Sequence, residues 1–153
     1  MSDSGVLLHA TAVLVGDRGV LITGASGSGK SSVANALIDR TRARGRFAAL
    51  VGDDLGFVRA VSGRLVCTAP VTLRGGLEVR GAGLYRTDAE PVAIVHLVVQ
   101  LVESAQAVRF NDGNSLQLEG VAVAQLILPA HEIDAACRAA EAALFHSPWN
   151  KFD

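Results

Sequence analysis

The run Gly24-Ala25-Ser26-Gly27-Ser28-Gly29-Lys30-Ser31 fits GxxxxGK[ST], a pattern that binds phosphate when it lies between a strand and a helix. Here the apolar stretch Gly19–Thr23 precedes it, and a helical pattern from Ser31 follows. Glycines let successive backbone N–H groups turn inward around phosphate oxygens. Lys30 supplies a point charge for the outer phosphates, and the Ser31 hydroxyl is a Mg²⁺ ligand. A nucleotide is the expected ligand of residues 24–32.

Three further groups have chemistry to offer such a ligand. Asp53 and Asp54 follow the apolar stretch Phe47–Val51, and in a strand–loop–helix–strand unit the end of the second strand delivers acids to the metal site. In Arg74–Gly83, glycines permit close backbone approach, while Glu78 offers a metal ligand and Arg80 a partner for phosphate charge. His9 enters through strand pairing. If the turn Gly16–Gly19 brings Val15 to face Val20, His9 falls opposite Ser26, inside the glycine run.

The elements that must hold these groups read as follows. Val6–Val15 and Val20–Thr23 form a hairpin, and Ser31–Arg44 carries Val33, Ala34, Leu37, Ile38 and Thr41 at helical spacing before the stop signal Gly45. Phe57–Ala60 and Arg64–Thr68 flank the turn Ser62-Gly63. Val92–Val102 is a buried strand in which His96 is a core histidine. Short strands follow at Ala107–Phe110 and Ser115–Leu118 around Asn111–Gly113, then Val121–Leu128 and an amphipathic helix over His131–Phe145. This order predicts one α/β domain spanning residues 1–153, with helices packed on the sheet.

Composition narrows the function. The chain has 153 residues, half of them apolar, with 14 basic against 15 acidic residues. No long basic stripe suggests nucleic acid or an anionic membrane as partner. The run Arg40–Arg46 sits where cations complement a helix C-terminus. Cys67 and Cys137 lack metal-ligand spacing and imply no disulfide framework. The apolar run Val92–Val102 is too short to span a bilayer, and the N-terminus carries an acid where a leader has basic residues, so a cytoplasmic protein is expected.

His9, GASGSGKSS from Gly24, LVGDD ending at Asp54, and LEVRGAG from Leu77 occur in an order and spacing that resembles the catalytic domain of bacterial HPr kinase/phosphorylases, over roughly residues 6–128. LEVRGAG is the most discriminating piece. The resemblance is to the short, single-domain form found in some proteobacteria. It implies a mixed-sheet P-loop fold akin to phosphoenolpyruvate carboxykinase and a hexameric homo-oligomer. It also implies ATP- and Mg²⁺-dependent phosphorylation of a serine on the phosphocarrier HPr, with phosphorolysis as the reverse reaction. On this resemblance Asp53 is the general base, His9 supports its carboxylate, and Arg80 is the signature arginine. Lys30 and Ser31 serve phosphate and Mg²⁺, with Glu78 as a second metal ligand.

The chain departs from that family's pattern at Ser32, where an acid is usual, at Leu55, where a base is usual, and at Ala82, where a larger apolar residue is usual. The loop that serves phosphorolysis has no clear counterpart, Arg109 being its weak candidate, so the kinase direction is the better supported. Two other readings compete. One is a nucleotide sensor that transfers no phosphate. The other is a small GTPase, since Asp53–Gly56 fits DxxG and Asn150–Asp153 fits NKxD; against it, Asp53 follows Lys30 too closely to leave room for a switch segment.

Overall fold

Short apolar segments divided by glycine turns give strands here, and two stretches with helical spacing give helices; the computed structural model describes residues 5–149. In chain order these are β1 (Val6–Leu8), β2 (Ala10–Val15), β3 (Arg18–Gly24), α1 (Lys30–Ala43), β4 (Ala48–Gly52), β5 (Gly56–Val61), β6 (Arg64–Thr68), β7 (Gly76–Val79), β8 (Gly83–Arg86), β9 (Val92–Val102), β10 (Ser115–Leu118), β11 (Val121–Pro129) and α2 (Ile133–Phe145). The fold is α/β with a mixed, curled sheet, as expected. Its main path runs β1-β5-β6-β9-β3-β2-β4, and β11, carrying β10, joins β9.

The centre of the sheet is parallel, β3 with β9 and β9 with β11. Strand β2 then lies antiparallel between β3 and β4. The chain therefore leaves β3, crosses over through α1, and returns in β4 parallel to β3 but one strand removed from it. Side chains alternate across β2. Val13 and Val15 pack with Val33 and Leu37 of α1 and Ala136 and Ala140 of α2, while Ala10 and Ala12 pack with Val58, Leu65 and Cys67 of the strands that curl over the opposite face. Both helices thus cover one face, and the sheet covers its own other face.

Helix α1 ends as its sequence signals. Gly45 adopts φ 74°, its N–H donates to the Arg42 carbonyl, and the Arg46 N–H donates to that of Thr41, the paired bonds of a Schellman cap. The arginines expected to complement the helix end, Arg40 and Arg42 of them in its last turn, also tie α1 to its neighbours. Arg40 donates to Glu141 (2.6 Å) and Asp134 (3.0 Å) of α2, Arg44 also reaches Glu141, and Arg46 lies 4.6 Å over the Phe145 ring. The hydrogen bond that Arg40 donates to Glu141 raises the pKa of its guanidinium above the ordinary value.

Four expectations need correction. The first strand breaks at His9, which separates β1 from β2. The hairpin turn is two residues long, with Val15 opposite Arg18 and Ala10 opposite Thr23, so His9 does not face Ser26. Ala107–Phe110 forms no strand. Phe110 is 77% exposed and Val108 has a single backbone bond, to Ile127, so the segment has neither a face to bury nor a ladder to join. His96 is half-buried and is the extra residue of a bulge between β3 and β9; its Nδ1 accepts the Gly19 N–H at 3.2 Å. Among the described residues no helix is long and apolar enough to cross a membrane.

Candidate active site

The glycine-rich loop leaves β3 at Gly24, whose φ of 151° and tight surroundings require glycine: a Cβ there would lie 2.6 Å from Ser28 Oγ and 2.9 Å from the Leu101 carbonyl oxygen. The loop enters α1 through Gly29 at φ 104°, and no side chain caps the helix. Its first backbone N–H groups therefore remain available, and no acid in the first turn competes with an anion for them. Lys30 is buried and folds across the loop, its Nζ donating to the carbonyls of Gly24 (3.1 Å) and Ala25 (3.2 Å) and lying 3.9 Å from Asp54.

The loop forms one wall of a pocket of about 210 Å³. Ser26, Gly27, Gly29, Lys30, Ser31 and Ser32 supply that wall, and Asp54, Glu78 and Arg80 supply the facing side. The other members of the expected binding run serve from beneath. Gly24 and Ala25 hold Lys30, while the Ser28 side chain is buried under the loop, and its carbonyl accepts the His131 N–H at 3.2 Å just ahead of α2.

Asp53 stands beside this pocket because of a fault in the sheet. Val13 of β2 pairs with Leu50 of β4, but the next residue, Ala12, pairs with Gly52, which makes Val51 the extra residue of a β-bulge. Beyond the bulge Thr11 falls opposite Asp53, on the face that carries α1. Unshifted pairing would have set Asp53 across from Ala10, toward the opposite core. Three donors then converge on the carboxylate. Ser31 Oγ (2.6 Å) and Thr11 Oγ1 (3.0 Å) donate to Oδ1, and the Glu78 N–H (2.9 Å) donates to Oδ2.

The last of these bonds pins the β7–β8 hairpin over the site. Leu77, one residue earlier, is buried in the core shared with the helices and anchors the same strand. The charged, glycine-rich segment is thus a folded hairpin with Arg80 at its turn. A second groove, of about 910 Å³, opens along it; Asp53, Leu73, Arg74, Leu84, Tyr85 and Arg86 are among its lining residues, and it shares Asp54 and Glu78 with the smaller pocket.

The donor set suits a hard cation. With its proton directed to Asp53, Ser31 Oγ keeps lone pairs for a metal, and the neighbouring carboxylates of Asp54 and Glu78 are oxygen ligands of the kind Mg²⁺ takes. Among the described residues no three His, Cys, Asp or Glu side chains form a ready-made cage. A Mg²⁺ site completed by substrate phosphates needs none.

His9 is exposed at the break between β1 and β2, and Asp53 takes its hydrogen bonds from Thr11, Ser31 and Glu78. Sequence reasoning passed over Thr11 and the aromatic and basic residues of the larger groove. For Thr11 the available signal was one hydroxyl on the α1-facing side of an otherwise apolar strand.

A model of the HPr serine kinase C-terminal domain matches residues 3–146 of this chain. The chain belongs to that family. Among similar proteins, the HPr kinase/phosphorylase of Limosilactobacillus reuteri is 35% identical over 134 residues, covering 80% of this chain and 40% of that protein. That of Clostridium novyi is 32% identical over 133 residues, covering 80% and 41%. The chain therefore spans about two fifths of the length of these relatives. The solved HPr(Ser) kinase/phosphatase of Coxiella burnetii superposes with a TM-score of 0.73 at 25% identity, over 90% of this chain and 87% of that one. These comparisons favour neither the small GTPase nor the silent nucleotide sensor. The NKxD match at Asn150–Asp153 lies outside the described residues.

Proposed function

We propose that this chain is an ATP- and Mg²⁺-dependent protein-serine kinase of the cytoplasm, acting on the phosphocarrier HPr as a single P-loop domain. The observation that carries the reading is the 2.6 Å bond from Ser31 to Asp53, which joins the glycine-rich loop to a carboxylate open to the larger groove. A nucleotide's phosphates fit the smaller pocket against Lys30 and the uncapped start of α1, and the acceptor serine approaches along the larger groove. Asp53 Oδ2 retains a lone pair to take the proton of the serine hydroxyl. As the serine oxygen bonds to the γ-phosphorus, the bond from that phosphorus to the bridging oxygen of ADP breaks. Ser31, Asp54 and Glu78 would hold Mg²⁺, which supplies charge neutralisation on the transferred phosphoryl. Lys30 and Arg80 add positive charge on either side of the pocket.

His9, exposed at the strand break and without a hydrogen bond to Asp53, has no role in this reading. A homo-oligomer, hexameric on the family resemblance, belongs to the same proposal. The test is incubation of the purified protein with Mg²⁺, γ-labelled ATP and HPr of the same organism, followed by mapping of the labelled side chain. Label on an HPr serine is the expected result. Tight ATP binding with no label on HPr would overturn the proposal in favour of a sensor.

A further inference from the structure

We propose that Thr11 is a positioning residue that selects which oxygen of Asp53 works as the base; this rests on the reading of Asp53 as proton acceptor. Thr11 is fully buried in β2, and its hydroxyl makes two bonds at once. It donates to Asp53 Oδ1 at 3.0 Å and accepts the Asp54 N–H at 3.2 Å. Each bond answers a specific need.

The first bond, with that of Ser31, saturates Oδ1 with two hydroxyl donors. Oδ2 holds only the exposed bond from the Glu78 N–H, and Asp53 lines the larger groove, so Oδ2 is the oxygen left with free accepting capacity for the acceptor. The second bond holds a strained turn. Asp54 has φ 64°, and the Leu55 N–H donates to the Asp53 carbonyl at 2.8 Å, which makes a three-residue γ-turn with a positive central φ, the rare and strained form. Strain of this kind persists only where surrounding contacts over-determine it. The Thr11 hydroxyl is such a contact, tying the middle amide of the turn to the neighbouring strand.

Thr11→Val keeps the shape and the β-branch of the side chain while deleting both bonds, and Thr11→Ser keeps the hydroxyl. For Thr11→Val, kcat for transfer to HPr should fall about 10- to 100-fold with KM for ATP nearly unchanged, because a displaced base harms the transition state rather than nucleotide binding. Thr11→Ser should recover most of that loss, which a packing role would not allow, since it lacks the methyl group. Amide hydrogen exchange without substrate gives an independent readout. The Asp54 amide should exchange about tenfold faster in Thr11→Val and near the native rate in Thr11→Ser.

Native kcat in Thr11→Val, a loss confined to KM, failure of Thr11→Ser to recover, or unchanged Asp54 exchange would each overturn the proposal. If the native protein itself transfers no phosphoryl, the kinase reading fails. A crystal structure of Thr11→Val then decides the positional claim alone, according to whether the Asp53 carboxylate moves.

Discussion

Replacing Asp53 by asparagine separates the chemistry of the site from its architecture. The native carboxylate accepts from Ser31 and Thr11 on one oxygen and from the Glu78 N–H on the other. An asparagine has one orientation that fits: its carbonyl toward the Glu78 N–H and its amide toward the two hydroxyls, which can rotate from donating to accepting. The opposite orientation sets two N–H donors against each other. The variant should therefore fold, at a cost of about 1–2 kcal/mol for charge-assisted bonds replaced by neutral ones. Nucleotide affinity should stay within a few-fold, since the loop backbone, Lys30 and the uncapped N–H groups of α1 are untouched. Transfer should collapse, because an amide cannot take the serine proton. General-base contributions of about 10²- to 10⁴-fold correspond to about 3–5 kcal/mol of barrier. The assay is transfer of labelled phosphoryl from ATP to HPr, alongside nucleotide titration by calorimetry. Transfer by Asp53→Asn within a few-fold of the native rate would refute the assignment of the base, and so would loss of transfer in strict proportion to lost nucleotide binding.

Other consequences can be checked on the same protein. Gly24→Ala drives a methyl against Ser28 Oγ and the Leu101 carbonyl and should lower stability by about 1–3 kcal/mol while weakening nucleotide binding. Gly27→Ala, with open space but φ 80°, should cost only about 1 kcal/mol, and equal effects of the two in urea titrations would contradict the packing argument. Glu141→Ala removes the carboxylate that joins Arg40 and Arg44 to α2; a fall of about 1–2 kcal/mol, reduced by added salt, is expected from thermal unfolding, and a salt-independent change would argue against an ionic tie. Burial pushes the Cys67 thiol up from 9.0 to about 12 and that of Cys137 to about 11. The folded thiols stay protonated where those of the unfolded chain ionise, so their contribution is complete below about pH 9 and is lost as pH rises toward the folded values. The urea midpoint should therefore fall between about pH 8 and pH 10, and less so in Cys67→Ala; an equal fall in both would count against this account.

How far the molecule can be read from its residues depends on the range of the forces that shape each part. Helix α1 and strand β9 were legible because their patterns are long and repeat without interruption. Val92–Val102 was placed with both ends correct, and α1 to within a residue at each end. The glycine run was legible too, since backbone conformation and phosphate chemistry impose the same residues on the same few positions. Pairing was less so. Whether Val15 meets Arg18 or Val20 turns on a two-residue loop, and nothing in the local sequence excludes the longer turn. The insertion of β2 between β3 and β4 is settled by the competition of all strands for neighbours rather than by any one of them.

The site itself exposes the sharpest boundary. Asp53 could be named from its place just after the apolar strand Phe47–Val51, but its usefulness depends on the face it takes, and that depends on the extra residue Val51. A bulge leaves almost no local signature when it falls in an apolar strand: Val51 is as apolar as its neighbours and is buried like them. Its consequence appears only across the sheet, where Thr11 meets the carboxylate. Thr11 alone would pass as a β-branched residue well suited to a strand, and Asp53 alone as a polar residue at a turn. Their opposition gives both a purpose, and it couples the proposed base to sheet register. Any change that removed the bulge would turn the carboxylate away from the loop while leaving every side chain of the site intact.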